Sequence, residues 1–511
     1  MQKHGIKLFN FRFFALLLVS MIVGAVFGVF LWDKFFVFYY VLGASVACAL
    51  VILIFAKKRR FLYLVLILGF IALTLSSYFT ITSGINYTPD LVSDRVEVRI
   101  EYLSVDKDYA YCKIISGMEN PPRGEGKLVL PKYFDMKALK EGSILTLNSV
   151  NIEAKEYVHI DEETEEKSLV LSTFTTKCKF TLSAGSVEKV ENGNPTLSET
   201  LRNSLSKVSM ENLPDETRGV IFALLTGDKY GIDYDLYSSY RVSGVAHVLA
   251  VSGLHVTFLM SFISWILSKT KLKKIYTVFI IIPLLFLFNA LCDFTPSVVR
   301  ASVMSGIHVI APVVTDRRYD SLSAMSLSGV ILLLFNPLNV FSYGFILSFV
   351  CVFGVIALTK PIADKLKFLP KWLASTSAMS ISASLAVLPL SCAFFGELSL
   401  LSILTNVLVV PVLSLVYGVL FVVAVICSIL NFMGFLLTVV GSVVYYLNFA
   451  TQVVSEISFA SVKISAPIWF VAGYYVTGIG LTDYVFLSKN AKRGLFVVFI
   501  GLVISWIITA L

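Results

Sequence analysis

Charge is scarce in this sequence. Asp, Glu, Lys and Arg make up 15% of 511 residues, against about 25% in soluble globular chains. Cysteine is also thin, at seven residues. Five of them (Cys48, Cys292, Cys351, Cys392, Cys427) lie in apolar runs, where a thiol packs as a small apolar group. That excludes a disulfide scaffold. No Gly-x-x-x-x-Gly-Lys-Ser/Thr loop is present, so no nucleotide-driven motor is recognisable in the chain. What abounds is apolar surface: 57% of residues, including 40 Phe, with a mean hydropathy of +0.81. In water such a chain would expose large apolar patches and aggregate. It is therefore read as an integral membrane protein with a smaller aqueous part, and intrinsic disorder is excluded. The net charge of +8 is first explained by basic cytoplasmic loops, not by nucleic acid.

A span needs about 20 apolar residues, and on that measure the chain reads as an all-α polytopic membrane bundle of about 13 transmembrane helices with an inserted small extracellular β-barrel, OB-like in strand number. Four regions follow: a three-span region at 1–83, the β domain at 84–195, an amphipathic helical linker at 196–243 and a multi-span domain at 244–511. The run 400–430 is long and holds Pro411, which predicts a kinked span or a re-entrant piece plus a span. Basic clusters fix the orientation. Lys3, Lys7 and Arg12 put the N-terminus in the cytoplasm. Lys57 to Arg60, Lys269 to Lys274, Arg317 and Arg318, Lys360 to Lys371, and Lys489 to Arg493 then all fall inside. This topology places residues 84–240 outside the cell. The first apolar run is followed at once by further spans, so it reads as a retained span and not a cleaved signal.

Within the β domain, Arg95 to Glu101 alternates polar and apolar residues, as a half-buried strand does. Similar runs at 109–116, 126–131, 143–152 and 168–182 complete five strands. Tyr102, Tyr109, Tyr111, Tyr133 and Phe134 are available for base stacking, while the acidic run Asp161 to Glu166 opposes phosphate. A structural cap and a nucleic-acid surface are both open readings. Cys112 and Cys178 fall outside the cell, where a disulfide is permitted.

Three of the five His lie near or within spans: His247, His255 and His308. Ionisable groups at membrane depth are candidate functional groups. His247 and His255 are eight apart, about 12 Å of rise on a continuous helix, which does not suit a shared metal unless Ser252-Gly253 breaks the helix. Ser252 and His255 are helical neighbours, but a Ser–His pair needs an orienting carboxylate, from Asp228 or Asp293. The opposing reading is close packing at Ser252-Gly253 with the histidines hydrogen-bonded inside the bundle. Pro296 is placed to start a span, which puts Arg300 one turn inside it and His308 eight residues further along. Pro389, Glu397, Asn406 and Pro411 suggest broken or kinked helices around a cavity, or ordinary kinks.

Taken together these residues resemble the ComEC family of bacterial competence proteins. The segment Ala223-Leu224-Leu225-Thr226-Gly227-Asp228-Lys229, with Gly244 through Val256 around His247, Ser252, Gly253 and His255, carries the main resemblance. Pro296 to Ala301, Asn336-Pro337 with Gly344 to Phe349, Pro389-Leu390 with Phe395-Gly396, and Asn406 to Pro411 are similar to further family blocks. The resemblance implies a channel that takes up single-stranded DNA across the cytoplasmic membrane during natural transformation. Its path would run by Asp228, Arg241, His247, Ser252, Gly253, His255, Arg300, His308 and Asn406. It implies no cofactor and no metal. It implies a lipid bilayer and, as partners, a separate DNA receptor, a nuclease, and a cytoplasmic motor or single-strand-binding protein; a homo-oligomer is a further expectation. Many family members carry a C-terminal metallo-β-lactamase-like domain, and no His-x-His-x-Asp-His motif occurs here. The block before Pro296 usually carries Gly where this chain has Asp293 or Phe294. The other readings of the Ser252/His255 region are a membrane-embedded hydrolase or transporter of another substrate, or a vestigial family member.

Overall fold

A computed structural model describes residues 13–32, 35–55, 60–85, 89–103, 110–122, 124–131, 134, 139–155, 158–160, 167–169, 178–229, 231–270, 272–314, 320–430, 434–482, 485 and 487–510. Lys3, Lys7, Arg12, Lys57, Lys58, Arg59, Arg317, Arg318, Tyr109, Tyr133 and the acidic run 161–166 lie outside these residues. So does the Cys178 side chain, and with it the expected bridge to Cys112. By backbone register Cys112 stands opposite Gly126 and Cys178 opposite Glu125.

The chain opens with α1 (Phe13–Phe30), α2 (Phe35–Phe55) and α3 (Arg60–Ile85). The barrel strands are β1 (Val92–Leu103), β2 (Ala110–Ser116), β3 (Glu125–Val129), β4 (Ile144–Ala154) and β7 (Cys178–Glu191), with a small hairpin of β5 (Val158–Ile160) and β6 (Lys167–Leu169) between the last two. The linker forms α4 (Leu197–Asn212), α5 (Asp215–Thr226) and α6 (Tyr234–Val242). Then come the short α7 (Ala246–Leu249), α8 (Gly253–Ser268), α9 (Lys274–Leu291), α10 (Pro296–Val314) and α11 (Ser321–Phe335). A 3-10 turn, Pro337–Phe341, leads into α12 (Tyr343–Lys365) and α13 (Lys371–Phe395). Strand β8 (Glu397–Ser399) precedes α14 (Ser402–Leu430) and α15 (Gly434–Ser455). Strand β9 (Ser461–Lys463), α16 (Ile468–Leu481) and α17 (Lys489–Ala510) complete the described chain.

Every apolar run read from the sequence becomes a helix. Seven (α1, α3, α12, α13, α14, α15 and α17) are long and apolar enough to cross a membrane, and the others carry shorter apolar stretches of 10–17 residues. The protein is thus a polytopic helical bundle with seven such helices among the described residues. The run from 402 to 430 is one helix with Pro411 inside it, not a re-entrant piece plus a span. Consecutive helices pack as hairpins, with α12 against α13, α14 against α15 and α16 against α17. Strand β8 pairs antiparallel with β9, Glu397 opposite Lys463, which fixes the α13–α14 and α15–α16 turns at one end of the bundle.

Five strands close into a barrel in the order β1-β2-β3-β7-β4, with β3 and β7 parallel. Alternation sets the faces: Val96, Val98, Ile100, Cys112, Leu128, Leu145, Leu147, Phe180 and Leu182 fill the inside. Gly126 points inward because a Cβ there would stand 2.0 Å from the Phe180 ring. The linker helices are not laid on the surface. Leu205, Val208, Val220, Phe222, Leu224, Leu225 and Tyr240 join the largest core, with side chains of α8, α9, α14 and α15. Helix α5 is short and its first turn is acidic, yet everything from Gly219 to Thr226 is buried. Burying an apolar side chain of this size contributes about 1.5–3 kcal/mol, which explains why amphipathic helices too polar to span are drawn into the bundle.

Candidate functional site

The apolar stretch around His247 is not one continuous helix. It stops at Leu249, passes through extended backbone at Ala250 and restarts at Gly253. Ser252 is the N-cap of α8, with φ −127 and ψ 176. Its Oγ accepts the Leu254 amide at 3.3 Å. His255 stands where a capping box usually has Glu or Gln, and its Nδ1 accepts the Ser252 amide at 3.0 Å. The Ser252 Oγ to His255 Nδ1 distance is 3.2 Å. The motif is therefore first a helix start, built where non-helical backbone must be supported by protein. His255 is 1% exposed, and its ring meets Tyr417 edge to face at 4.7 Å. Its Nε2 has no hydrogen-bond partner among the described residues, so no carboxylate among them orients the ring. Replacing Ser252 by Ala should cost about 1 kcal/mol of stability through the lost cap, with Thr restoring most of it; thermal unfolding in detergent measures this.

Arg300 closes the site from behind. It lies one turn inside α10 and is 5% exposed. Its Nε donates to Ser348 Oγ at 2.9 Å, and its guanidinium lies 6.0 Å over the Phe349 ring. A Cβ on Gly253 would stand 2.6 Å from Arg300 Nη2, so only glycine lets the guanidinium reach the first turn of α8. A buried cation thus sits at the positive end of a half-helix, an arrangement that favours an anion.

The other expected residues separate. Asp228 follows the left-handed cap Gly227 and is 7% exposed. A Cβ on Gly227 would stand 3.5 Å from Val251, so this turn abuts the helix break. His247 is exposed on α7. Arg241 is exposed and pairs with Glu397 at 2.8 Å, while Glu397 also accepts Ser461 Oγ at 3.0 Å. That clasp ties α6 to the β8–β9 hairpin. His308 is exposed whereas Arg300 is buried. Eight residues at 100° each leave them about 80° apart, and packing decides the rest. Asn406 is 8% exposed, and its Oδ1 has no hydrogen-bond partner among the described residues. No group of three or more His, Cys, Asp or Glu among the described residues is arranged to hold a metal.

Four residues were missed by the sequence reading. Tyr417 backs His255 and donates to the Leu224 carbonyl at 3.0 Å. Ser348 fixes Arg300. Tyr240 donates to Asn448 Oδ1 at 2.8 Å, and Asn448 Nδ2 donates to the Glu216 carbonyl at 3.0 Å, which joins α6, α15 and α5. Ser348 falls within the block Gly344 to Phe349, but a serine in an apolar run carries no signal of its partner.

Residues 224–486, which contain this site, match the family described as Competence protein. The chain is 32% identical over 212 residues to ComE operon protein 3 of Bacillus subtilis, covering 42% of this chain and 27% of that protein. It is 27% identical over 213 residues to Recombination protein 2 of Haemophilus influenzae, covering 39% of this chain and 27% of that one. An uncharacterized protein of Aquifex aeolicus is 30% identical over 164 residues, covering 32% of this chain and 38% of the relative. The matched stretches are thus well under half of each relative. No solved structure matches. The matched region spans just over half of the chain and includes the helix break, Arg300 and Asn406, and the chain belongs to the Competence protein family.

Proposed function

We propose that this protein is the path by which one strand of DNA crosses the cytoplasmic membrane during natural transformation. The observation that carries the reading is the broken helix at Ala250–Ser252, with buried Arg300 against its restart. A polyanion crossing an apolar bundle needs donors and positive charge at depth without contacts tight enough to stall it. Arg300, the amides at the start of α8 and exposed His247 offer that. Membership of the competence family supplies the substrate class. Strand passage needs no bond to be broken, so the chain is read as a non-enzyme with no cofactor. A separate nuclease, receptor and motor or single-strand-binding protein follow as partners.

The arrangement of charge supports a barrel outside the cell. Lys269, Lys273, Lys367, Lys371, Lys489 and Lys492 lie at helix ends on one side of the hairpins, away from the β8–β9 turn. By the positive-inside rule that end is cytoplasmic. On the barrel, Tyr102 faces Tyr111 with ring centroids 5.9 Å apart. Lys127 stands opposite Tyr111 on β3, and exposed Lys113 stands opposite Arg99. Aromatic rings among lysines suit a single strand. Reversing both charges with Lys113→Glu and Lys127→Glu should lower single-strand affinity and reduce the log K against log salt slope by about 1.4. Fluorescence anisotropy of labelled oligonucleotide on the full chain in nanodiscs measures it. The main test is entry of end-labelled DNA in cells lacking the protein, or carrying wild type or His255→Ala. Entry should be lost in the null, restored by wild type and not restored by the mutant. Unchanged entry in a transformable null strain would overturn the reading.

A further inference from the structure

Where the barrel meets the bundle, charge is buried instead of solvated. Arg99 on β1 gives 2.8 Å bonds to Glu101 on the same strand and to Glu199 on α4. Glu199 also accepts the Thr196 amide in the capping box that starts α4. Nearly a turn further on, Arg202 Nε faces Glu141 Oε2 at 3.5 Å. Glu141 Oε1 accepts the Leu103 amide at 3.2 Å. Asn203 accepts the Glu141 amide and donates to its carbonyl, so α4 grips the backbone of the β3–β4 connection. Glu141, Glu199 and Arg202 are 4%, 4% and 7% exposed.

A third element joins them. Asp293, in the turn between α9 and α10, adds its negative charge to the field at Glu141. Asp293 and Phe294 hold φ of 59 and 51, a left-handed backbone that a bulky side chain adopts only when its surroundings enforce it. The charged groups acting on Glu141 are thus Arg202, Glu199 and Asp293; Arg99 and Glu101 join the cluster through Glu199, and Lys140 is exposed beside it. Fully ionised, Glu101, Glu141, Glu199 and Asp293 outnumber the two guanidiniums. Glu141 Oε2 and Arg202 Nε are both buried without closing a hydrogen bond. Attraction between them does not offset the rest. Burial first, and the negative neighbours after it, push the Glu141 carboxyl up to about 7 against the pull of Arg202 and the Leu103 amide.

We propose that Glu141 is a proton-operated catch: its neutral form seats the barrel on α4 and the α9–α10 turn, and its ionisation loosens that seat. The proposal stands whether or not the bundle conducts DNA. The seated carboxyl holds its proton more tightly than a hydrated one. Seating is therefore strongest below the ordinary carboxylate range and is lost as pH rises through about 7. From pH 6 to pH 8 the loss amounts to about tenfold.

Hydrogen exchange on the full chain in nanodiscs, corrected for intrinsic rates, tests this at residues 99–103, 140–144 and 196–203. Protection there should fall about tenfold between pH 6 and pH 8, while Leu145 and Leu147 inside the barrel stay protected at both. Glu141→Gln should remove the pH dependence. Asp293→Asn, which tolerates the left-handed backbone, should shift the transition to lower pH. Protection independent of pH in the wild type, the same dependence in Glu141→Gln, or parallel loss at Leu145 and Leu147 would each overturn the catch.

Discussion

Replacing Arg300 with alanine should cut DNA entry by about 100-fold, with protein still present in the membrane. Arg300 is a buried cation held by Ser348 and stacked over Phe349, so its geometry is set before any strand arrives. Removing it takes away a formal charge at the start of α8 and leaves Ser348 Oγ without its donor. Arg300→Lys should not rescue entry. A lysine is a point charge on a flexible stem and cannot bond Ser348 while also presenting a flat group to Gly253. Ser348→Ala should fall between wild type and Arg300→Ala, because the charge stays but its orientation loosens. Entry of labelled DNA, normalised to protein level, measures all three. Wild-type entry in Arg300→Ala would remove this side chain from the path.

Gly253→Ala should be nearly as damaging, for a steric reason. The added methyl would stand 2.6 Å from Arg300 Nη2, well inside contact distance. The guanidinium is anchored at Ser348, so the strain falls on either the Arg300 rotamer or the α8 cap. Overpacking of this kind costs about 1–3 kcal/mol. The decisive feature is coupling. In an Arg300→Ala background the obstruction is gone, and Gly253→Ala should then add almost nothing. The double-mutant cycle should therefore show an interaction of about 1–2 kcal/mol in unfolding free energy. Additive effects would mean that the two residues do not touch in the membrane.

The sequence made the barrel readable because its strands are half-buried, and alternation survives from Arg95 to Glu101. Strands β8 and β9 are three residues each, too short for a period of two to stand out. Helix α5 was hard to place because acidic residues at its start mask an apolar run from Val220 to Leu225. At the site, the residue types were legible and their geometry was not. Hydropathy runs straight through Ala250-Val251, so the break was visible only as a serine and a glycine. Arg300 and His308 share a helix, but which of them the bundle covers is decided by α8 and α12, not by their spacing. Asp293 and Phe294 stood out as departures where the family block usually has glycine. Their left-handed backbone is the conformation glycine adopts most readily, so the departure runs against the local backbone preference.

Photocrosslinking of DNA in transit is the most direct test of the path. A benzophenone amino acid at position 247 places a probe at the exposed edge of the helix break. The same probe at Leu415, 77% exposed on α14, reports on the outer wall of the bundle. With a strand stalled during uptake, position 247 should crosslink to DNA and position 415 should not. Crosslinking at 415 alone, or none at 247 while uptake proceeds, would contradict passage of the strand beside the broken helix.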